Sequence, residues 1–300
     1  MKRIGSSAQA GKDWRDLETQ QGRVFIVTGA SSGIGEAVAR SLGKTGARVI
    51  LAVRNPEKAR RIFSNATGTF EIRKLDLSDL TSIREFAKAI GAEEKVDVLV
   101  HNAGVMGSPY GRTCDGLETQ IATNHLGPFA LTGLLLPLIQ DRVVVVSSHA
   151  HRQGRIRLKD LHFEKERYDS SAAYAQSKLA NLLFVYELQR RLEAAGSKLR
   201  ALAAHPGLAQ SSLLSNCEPP RRLKITRYLQ GKLGQSAENG ALPVLFAATA
   251  DVPGGSYVGP GGFLGLRGQP CLVGSNAQSK DLKLASELWT LSESLTRVCF

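Results

Sequence analysis

Cysteine is scarce in this chain: four in 300 residues, at positions 114, 217, 271 and 299, with no Cys-x-x-Cys and no Cys/His pair at metal-ligand spacing. That scatter excludes a disulfide scaffold and a zinc module. No metal is expected, and the thiols read as reduced, which places the chain in the cytoplasm. Aromatic residues make up only 6% and none interleave with a basic stripe. A nucleic-acid partner is therefore not expected, and the formal net charge of +12 reads as a basic surface that attracts anions. Long apolar runs are missing as well. The most apolar stretch, 131–139, is short and broken by Gly133 and Pro137. The first 22 residues carry Lys2, Arg3, Lys12, Asp13, Arg15 and Asp16 without an apolar core. Neither a membrane span nor a signal peptide is expected, nor, with Cys299 penultimate, a prenylation box.

What is present is 42% hydrophobic residues, enough for a sizeable core, in an alternating arrangement. Apolar, β-branched runs fall at 23–28, 47–53, 70–75, 96–100, 142–147 and 199–204, with a short one near 256–258. Helical patterns fall between them, at 34–44, 56–64, 79–91, 116–138, 172–195 and 236–250. Near-continuous apolar strands are those buried on both faces by helices. The expected class is α/β: a single doubly wound Rossmann domain over 21–300, with a parallel sheet of about seven strands. Residues 1–20 read as a flexible N-terminal arm, and 259–300 as a Gly-rich tail ending in a helix.

The first strand runs into Thr28-Gly29-Ala30-Ser31-Ser32-Gly33-Ile34-Gly35 and then a helical pattern. A glycine cluster between strand and helix suits a pyrophosphate. Gly29 makes the tight turn, Gly33 lets backbone approach the phosphate, and Gly35 lets helix and sheet pack closely. The helix N-terminus supplies N–H groups and the positive dipole end, so Gly29, Ser31, Ser32, Gly33, Ile34 and Gly35 are expected to bind the cofactor. At the end of the second strand, an acid would bind the ribose 2′-hydroxyl of NAD. This chain has Arg54 there, which suits the extra phosphate of NADP; NADP(H) is preferred, with NAD(H) as the alternative.

Tyr174 and Lys178 lie four residues apart in Tyr-Ala-Gln-Ser-Lys, on one face of the predicted helix. A free phenol titrates near about 10. A nearby ammonium is expected to lower it toward the range useful for proton transfer.

Taken together, these motifs resemble the short-chain dehydrogenase/reductase family, in its classical branch. The resemblance rests on TGASSGIG at 28–35, Asp76, Asn102-Ala103-Gly104, Asn124, Ser148, Tyr174/Lys178 and His205-Pro206-Gly207, in order over roughly 20–258. Finer features are similar to the retinol-dehydrogenase-like and protochlorophyllide-reductase-like bacterial subgroup: Arg54-Asn55, Asn124-His125-Leu126-Gly127, and Tyr174-x-x-Ser177-Lys178-Leu179-Ala180-Asn181.

The resemblance implies an NADP(H)-dependent oxidoreductase that interconverts a hydrophobic alcohol and its aldehyde or ketone. Tyr174 would be the general acid/base. Lys178 would tune it and bind the nicotinamide ribose, Ser148 would hold the carbonyl, and Asn124 would support proton resupply. Ser147 is the second choice for the serine. Asp76 with Leu77 would meet the adenine, Asn102, Ala103 and Gly104 would form the cofactor floor, and Pro206, Gly207 and Ser211 would touch the nicotinamide end. Ser148 and Tyr174 are 26 residues apart, about twice the usual gap, so 149–171 is an insertion whose histidines 149, 151 and 162 read as solvated. Residues of about 208–234 read as an amphipathic lid over a small hydrophobic substrate, with Arg221 and Arg222 taken as solvent-facing. A homo-oligomer is compatible with the family. Two other readings stand beside this one: a non-catalytic NADP-binding regulator or scaffold, and a C=C reductase of the protochlorophyllide-reductase type.

Overall fold

The computed structural model describes residues 14, 16–91, 95–209 and 234–300. The apolar runs form seven parallel strands: β1 (Val24–Thr28), β2 (Arg48–Val53), β3 (Thr69–Lys74), β4 (Val96–His101), β5 (Ile139–Val146), β6 (Arg200–Ala204) and β7 (Tyr257–Pro260). An eighth, β8 (Pro270–Leu272), pairs antiparallel with β7, and the sheet order is β3-β2-β1-β4-β5-β6-β7-β8. The sheet is thus doubly wound as expected, with one strand more. Sequence reading passes over β8 because it is three residues long, begins with proline and follows a glycine-rich stretch.

The main helices are α1 (Gly33–Lys44), α2 (Pro56–Phe63), α3 (Leu80–Gly91), α4 (Thr119–Ile121), α5 (Gly127–Leu135), α6 (Ser170–Ala194), α7 (Ala237–Thr249) and α8 (Leu282–Thr296). Local chemistry sets several starts. Asn55 accepts from the Lys58 N–H at 3.0 Å with Pro56 in the first turn of α2. Asp169 caps α6 through the Ala172 N–H at 2.8 Å, and Asp281 caps α8 through the Leu284 N–H at 3.0 Å. Each such cap is worth about 1 kcal/mol.

Strand periodicity sends side chains to both faces. From β1, Phe25 and Val27 join a core with Val38 and Leu42 of α1 and Leu245 and Phe246 of α7. Ile26 joins the opposite core, with Ile83 of α3, Phe129 of α5, Phe184 of α6 and Trp289 of α8. Burying each such side chain contributes about 1.5–3 kcal/mol relative to exposing it. Arg23, Asp141 and Arg200 form ion pairs at the amino ends of the strands, leaving the carboxyl ends to the glycine turn and the polar residues described below.

Two expectations change. The predicted 116–138 helix is broken by a π-helical turn, Ala122–Leu126, between α4 and α5. By length and composition the run Thr119–Leu138 could cross a membrane, but 67% of its most apolar window is buried inside the protein. The arm expected to be flexible is docked where it is described: Trp14 is buried edge-on against Phe246 at 4.5 Å, and the Gln20 N–H donates to the Thr45 carbonyl at 2.9 Å. A lone tryptophan among charged residues gives no periodicity by which sequence could foresee this.

Candidate active site

The glycine turn closes the end of β1 and opens α1. Gly29 (φ +67°) and Gly33 (φ +55°) sit in the left-handed region, where a side chain is strained. A Cβ on Gly29 would lie 2.8 Å from the Ala103 Cα, and one on Gly35 would lie 2.3 Å from the Asn102 Nδ2 and 2.4 Å from the Gly29 carbonyl. These two glycines let helix, turn and the end of β4 pack together. Gly33 differs, because a Cβ there would meet nothing within 4 Å. Its bare backbone faces open space at the start of α1, with Ser31 and Ser32 partly exposed beside it and Ile34 buried behind. The first-turn N–H groups of a helix have no carbonyl one turn back, so this mouth suits a pyrophosphate.

Thr28, which sequence reasoning assigned no role of its own, fixes the neighbouring floor. Its Oγ1 accepts from the N–H groups of Asn102 and Ala103, both at 3.0 Å, and its carbonyl accepts from Asn102 Nδ2 at 3.0 Å. Asp76 Oδ1 accepts from the Ser78 N–H at 2.9 Å and the Ser78 hydroxyl at 2.6 Å, while Asp79, not Asp76, caps α3. Leu77 is buried, with its carbonyl 2.3 Å from where a Cβ on Gly127 would stand. Arg54 is exposed directly after β2.

The polar four converge where β4, β5 and α6 meet. The π-helical turn carries Asn124, whose Nδ2 donates to the Val105 carbonyl and the Ser177 hydroxyl, both at 2.9 Å. Its Oδ1 accepts from the Val105 N–H at 2.7 Å. A Cβ on Gly104 would lie 3.1 Å from that oxygen and 3.5 Å from the Lys178 Nζ, so a side chain here would press on Asn124. Lys178 is buried; its ammonium donates to the Val146 carbonyl at 3.0 Å and stands 5.6 Å from the Tyr174 ring centre. Burial without an acidic partner pushes Lys178 down to about 8.

The Ser148 hydroxyl accepts from the Ala150 N–H at 3.2 Å and is near enough to Tyr174 to act on its phenol by hydrogen bonding. Burial pushes the phenol up and that hydrogen bond pulls it back, so the lowering by Lys178 expected from spacing is not the leading effect on it. Ser147, the second-choice serine, is turned away and donates to the Lys178 carbonyl at 2.8 Å.

The three histidines of the insertion, expected to be solvated, are each hydrogen-bonded to the protein, with His149 and His162 half-buried. His151 is buried with Nδ1 2.6 Å from the Ser148 carbonyl. His149 reaches the Gly265 carbonyl at 3.1 Å and stacks edge-on with buried His205 at 4.4 Å. His162 Nδ1 accepts from the Glu118 N–H at 3.3 Å. The insertion is tied down further by Gln176, which accepts from the Arg157 N–H and donates to the Leu161 carbonyl, both at 3.0 Å. The sequence hides this because a histidine-rich charged segment has the same composition whether it is docked or loose.

Gly207 (φ +68°) turns the chain after β6, and a Cβ there would strike the Leu266 carbonyl at 2.3 Å. The adjoining Pro206 carbonyl accepts from Gln235 Nε2 at 2.7 Å. Ser211 and the lid residues 210–233 lie outside the described residues. Among the described residues, Asp79, Cys114 and Asp115 bring possible metal-ligand atoms together. Asp79 and Asp115 are already engaged with backbone N–H groups of Thr81, Ser82 and Leu80 at the start of α3.

Comparison with known proteins agrees with this geometry. The short chain dehydrogenase family model matches residues 23–221. Human retinol dehydrogenase 11 is 49% identical over 203 residues, which span 64% of this chain and 63% of that relative. An uncharacterised protein from Mycobacterium paratuberculosis is 48% identical, with a TM-score of 0.85 over 97% of this chain and 99% of its own. The Pseudomonas aeruginosa RhlG/NADP active-site complex is 26% identical, with a TM-score of 0.62 over 80% of this chain and 94% of its own.

Proposed function

The chain belongs to the short-chain dehydrogenase family, in its retinol-dehydrogenase-like part, and on that premise we propose that it is an NADP(H)-dependent oxidoreductase interconverting a hydrophobic alcohol and its aldehyde or ketone. The observation that carries this reading is the convergence of Tyr174, Ser148, Lys178 and Asn124 beside the glycine turn. Scattered polar residues have no reason to meet in one buried corner at the carboxyl ends of the strands.

The residues fit the cofactor. Gly33 leaves open the space a pyrophosphate needs, the Thr28-anchored Asn102 and Ala103 form a fixed floor, and Arg54 stands where a 2′-phosphate would be met. A bound nicotinamide supplies or accepts the hydride. In reduction, Ser148 donates to the substrate carbonyl and holds it beside Tyr174, which releases its phenolic proton to the oxygen as charge develops there. Lys178, held near 8 by burial, can return a proton to the site near neutral pH. Asn124, clamped on both sides by Val105, keeps the π-helical turn at the right depth behind Lys178. Oxidation runs the same contacts in reverse.

The substrate class rests on the named relative, a retinol dehydrogenase, and on two large apolar side chains, Phe263 and Leu264, exposed at 75% and 70% in the loop that closes on Gly207. An apolar aldehyde of retinoid size fits both. The reducing cytoplasm is the proposed location, in keeping with the wide scatter of the four cysteines along the sequence. Purified protein incubated with a panel of apolar aldehydes and ketones should consume NADPH absorbance; no consumption with any of them would set the reading aside.

A further inference from the structure

Beneath the polar four lies a second buried polar chain that the proposed reaction does not use. Asn124 and His125 are consecutive, yet the π-helical turn sends them apart: Asn124 toward Val105 and Ser177, His125 toward α6 and α8. His125 is buried, and its Nε2 lies 3.0 Å from the hydroxyl of Ser292 in α8. On α6, Asn181 donates through Nδ2 to the Val146 carbonyl at 3.2 Å, the same oxygen that accepts from Lys178 at 3.0 Å. Two buried atoms in this group lack a partner in strict hydrogen-bond geometry: His125 Nδ1 and Asn181 Oδ1. Both lie where the π-helical turn meets α6: the His125 ring packs edge-on against Phe184 at 6.1 Å, and Phe184 is one helical turn on from Asn181 along the buried face of α6.

The tautomer of His125 decides the outcome. With the proton on Nε2, Nδ1 and Asn181 Oδ1 are two buried acceptors without a donor, each carrying a desolvation cost. With the proton on Nδ1, His125 donates to Asn181 and both atoms are satisfied. Nε2 then accepts from the Ser292 hydroxyl. That hydroxyl also lies 2.7 Å from the Leu288 carbonyl, but a carbonyl one turn back in a helix already accepts a backbone N–H, so turning the hydroxyl to the ring orphans nothing.

Resting on the oxidoreductase reading above, we propose that His125 is a positioning residue. As the Nδ1–H tautomer, with Nε2 accepting from Ser292, it holds Asn181, and through the shared Val146 carbonyl it holds the ammonium of Lys178 in place. The C-terminal helix α8 is thereby part of the active site's support although it touches none of the four. The chain runs Ser292, His125, Asn181, Val146, Lys178; the links at Ser292 and at Val146 are buried hydrogen bonds, and the link from His125 to Asn181 is the one the tautomer completes.

Two substitutions separate this role from simple docking of α8. His125→Asn places an amide N–H where Nδ1 stands, so it keeps the bond to Asn181 and gives up Ser292. His125→Gln places its amide where Nε2 stands and does the opposite. The relay predicts that His125→Asn keeps kcat within a few-fold, while His125→Gln lowers kcat by about ten-fold or more with KM little changed. Melting temperature should favour His125→Gln, because it retains the contact to α8. If kcat follows melting temperature instead, His125 is only a docking residue and the proposal is overturned.

Nitrogen-15 spectra of histidine-labelled protein read the tautomer without any turnover. The wild-type His125 signal should be of the Nδ1–H form, and Asn181→Ala, which removes the acceptor and leaves Nε2 beside Ser292, should reduce its population. An Nε2–H form in the wild type would overturn the relay even if activity is normal. Absence of NADPH consumption by the wild type with an Nδ1–H signal would overturn the oxidoreductase reading and leave the tautomer assignment standing.

Discussion

Ser147 donates to the carbonyl of Lys178 at 2.8 Å, whereas its neighbour Ser148 lies on the side of Tyr174 and pulls that phenol down. Adjacent residues at a strand end point to opposite sides, so only one serine of the pair can serve the substrate. Ser148→Ala should lower kcat by about 10²–10³-fold, the scale of losing one donor to a developing oxyanion. Ser147→Ala should instead cost about 1–3 kcal/mol of stability through a lost buried hydrogen bond. Steady-state rates set beside melting curves check the pair; equal rate losses would contradict the division of roles.

Arg54 is exposed directly after β2, where the ribose of a bound dinucleotide would lie. Arg54→Ala should weaken NADPH binding by about 1.5–3 kcal/mol, the worth of a hydrogen bond to a charged group, and leave NADH binding nearly unchanged. Titrations of both cofactors against both proteins measure this. Equal losses for the two would remove the basis for preferring NADP.

Two glycines of one motif should fail in different ways. A Cβ at Gly35 strikes Asn102 and the Gly29 carbonyl, so Gly35→Ala should lower stability by about 1–3 kcal/mol, as overpacking does. A Cβ at Gly33 enters open space, though its φ of +55° adds strain. Gly33→Ala should therefore weaken NADPH binding by more than it lowers the melting temperature. Cofactor titration and thermal melts of both variants decide the matter.

Acid should destabilise the fold well above the carboxylate range. Burial pushes His101, His125 and His205 each down to about 3, while in the unfolded chain they titrate near 6.5. As pH falls below 6.5 the unfolded state takes up protons that the folded state refuses, so stability is lost progressively toward pH 3. Each histidine contributes up to about 1.4 kcal/mol per pH unit in that window. Chemical denaturation between pH 7 and 5 should show the loss, and His101→Gln, which cannot titrate, should reduce its slope. A flat profile over that range would contradict the burial assignments.

Much of this was legible in the sequence because strand runs such as Arg-Val-Val-Val-Val and the glycine turn are local signals. Their burial pattern and order leave few topologies open. Ser177 and Asn181 were within reach too: they follow Tyr174 at helical spacings, as polar residues on the buried face of α6. What stayed hidden depends on contacts between distant segments. The docking of Trp14 on Phe246, the burial of His151 under Ser148 and the meeting of His125 with Ser292, 167 positions away, leave no mark on local composition. The π-helical turn that separates Asn124 from His125 is likewise invisible to a 3.6-residue period.

The most direct measurement is the turnover of Tyr174→Phe. The substitution keeps the buried ring and removes only the hydroxyl that Ser148 engages, so folding and NADPH affinity should survive. General acid–base catalysis supplies about 10²–10⁴-fold, and NADPH oxidation with any accepted carbonyl should fall by at least that factor. Near-normal turnover by a folded, NADPH-binding Tyr174→Phe protein would contradict the mechanism and favour a chain that binds the dinucleotide without using this tyrosine.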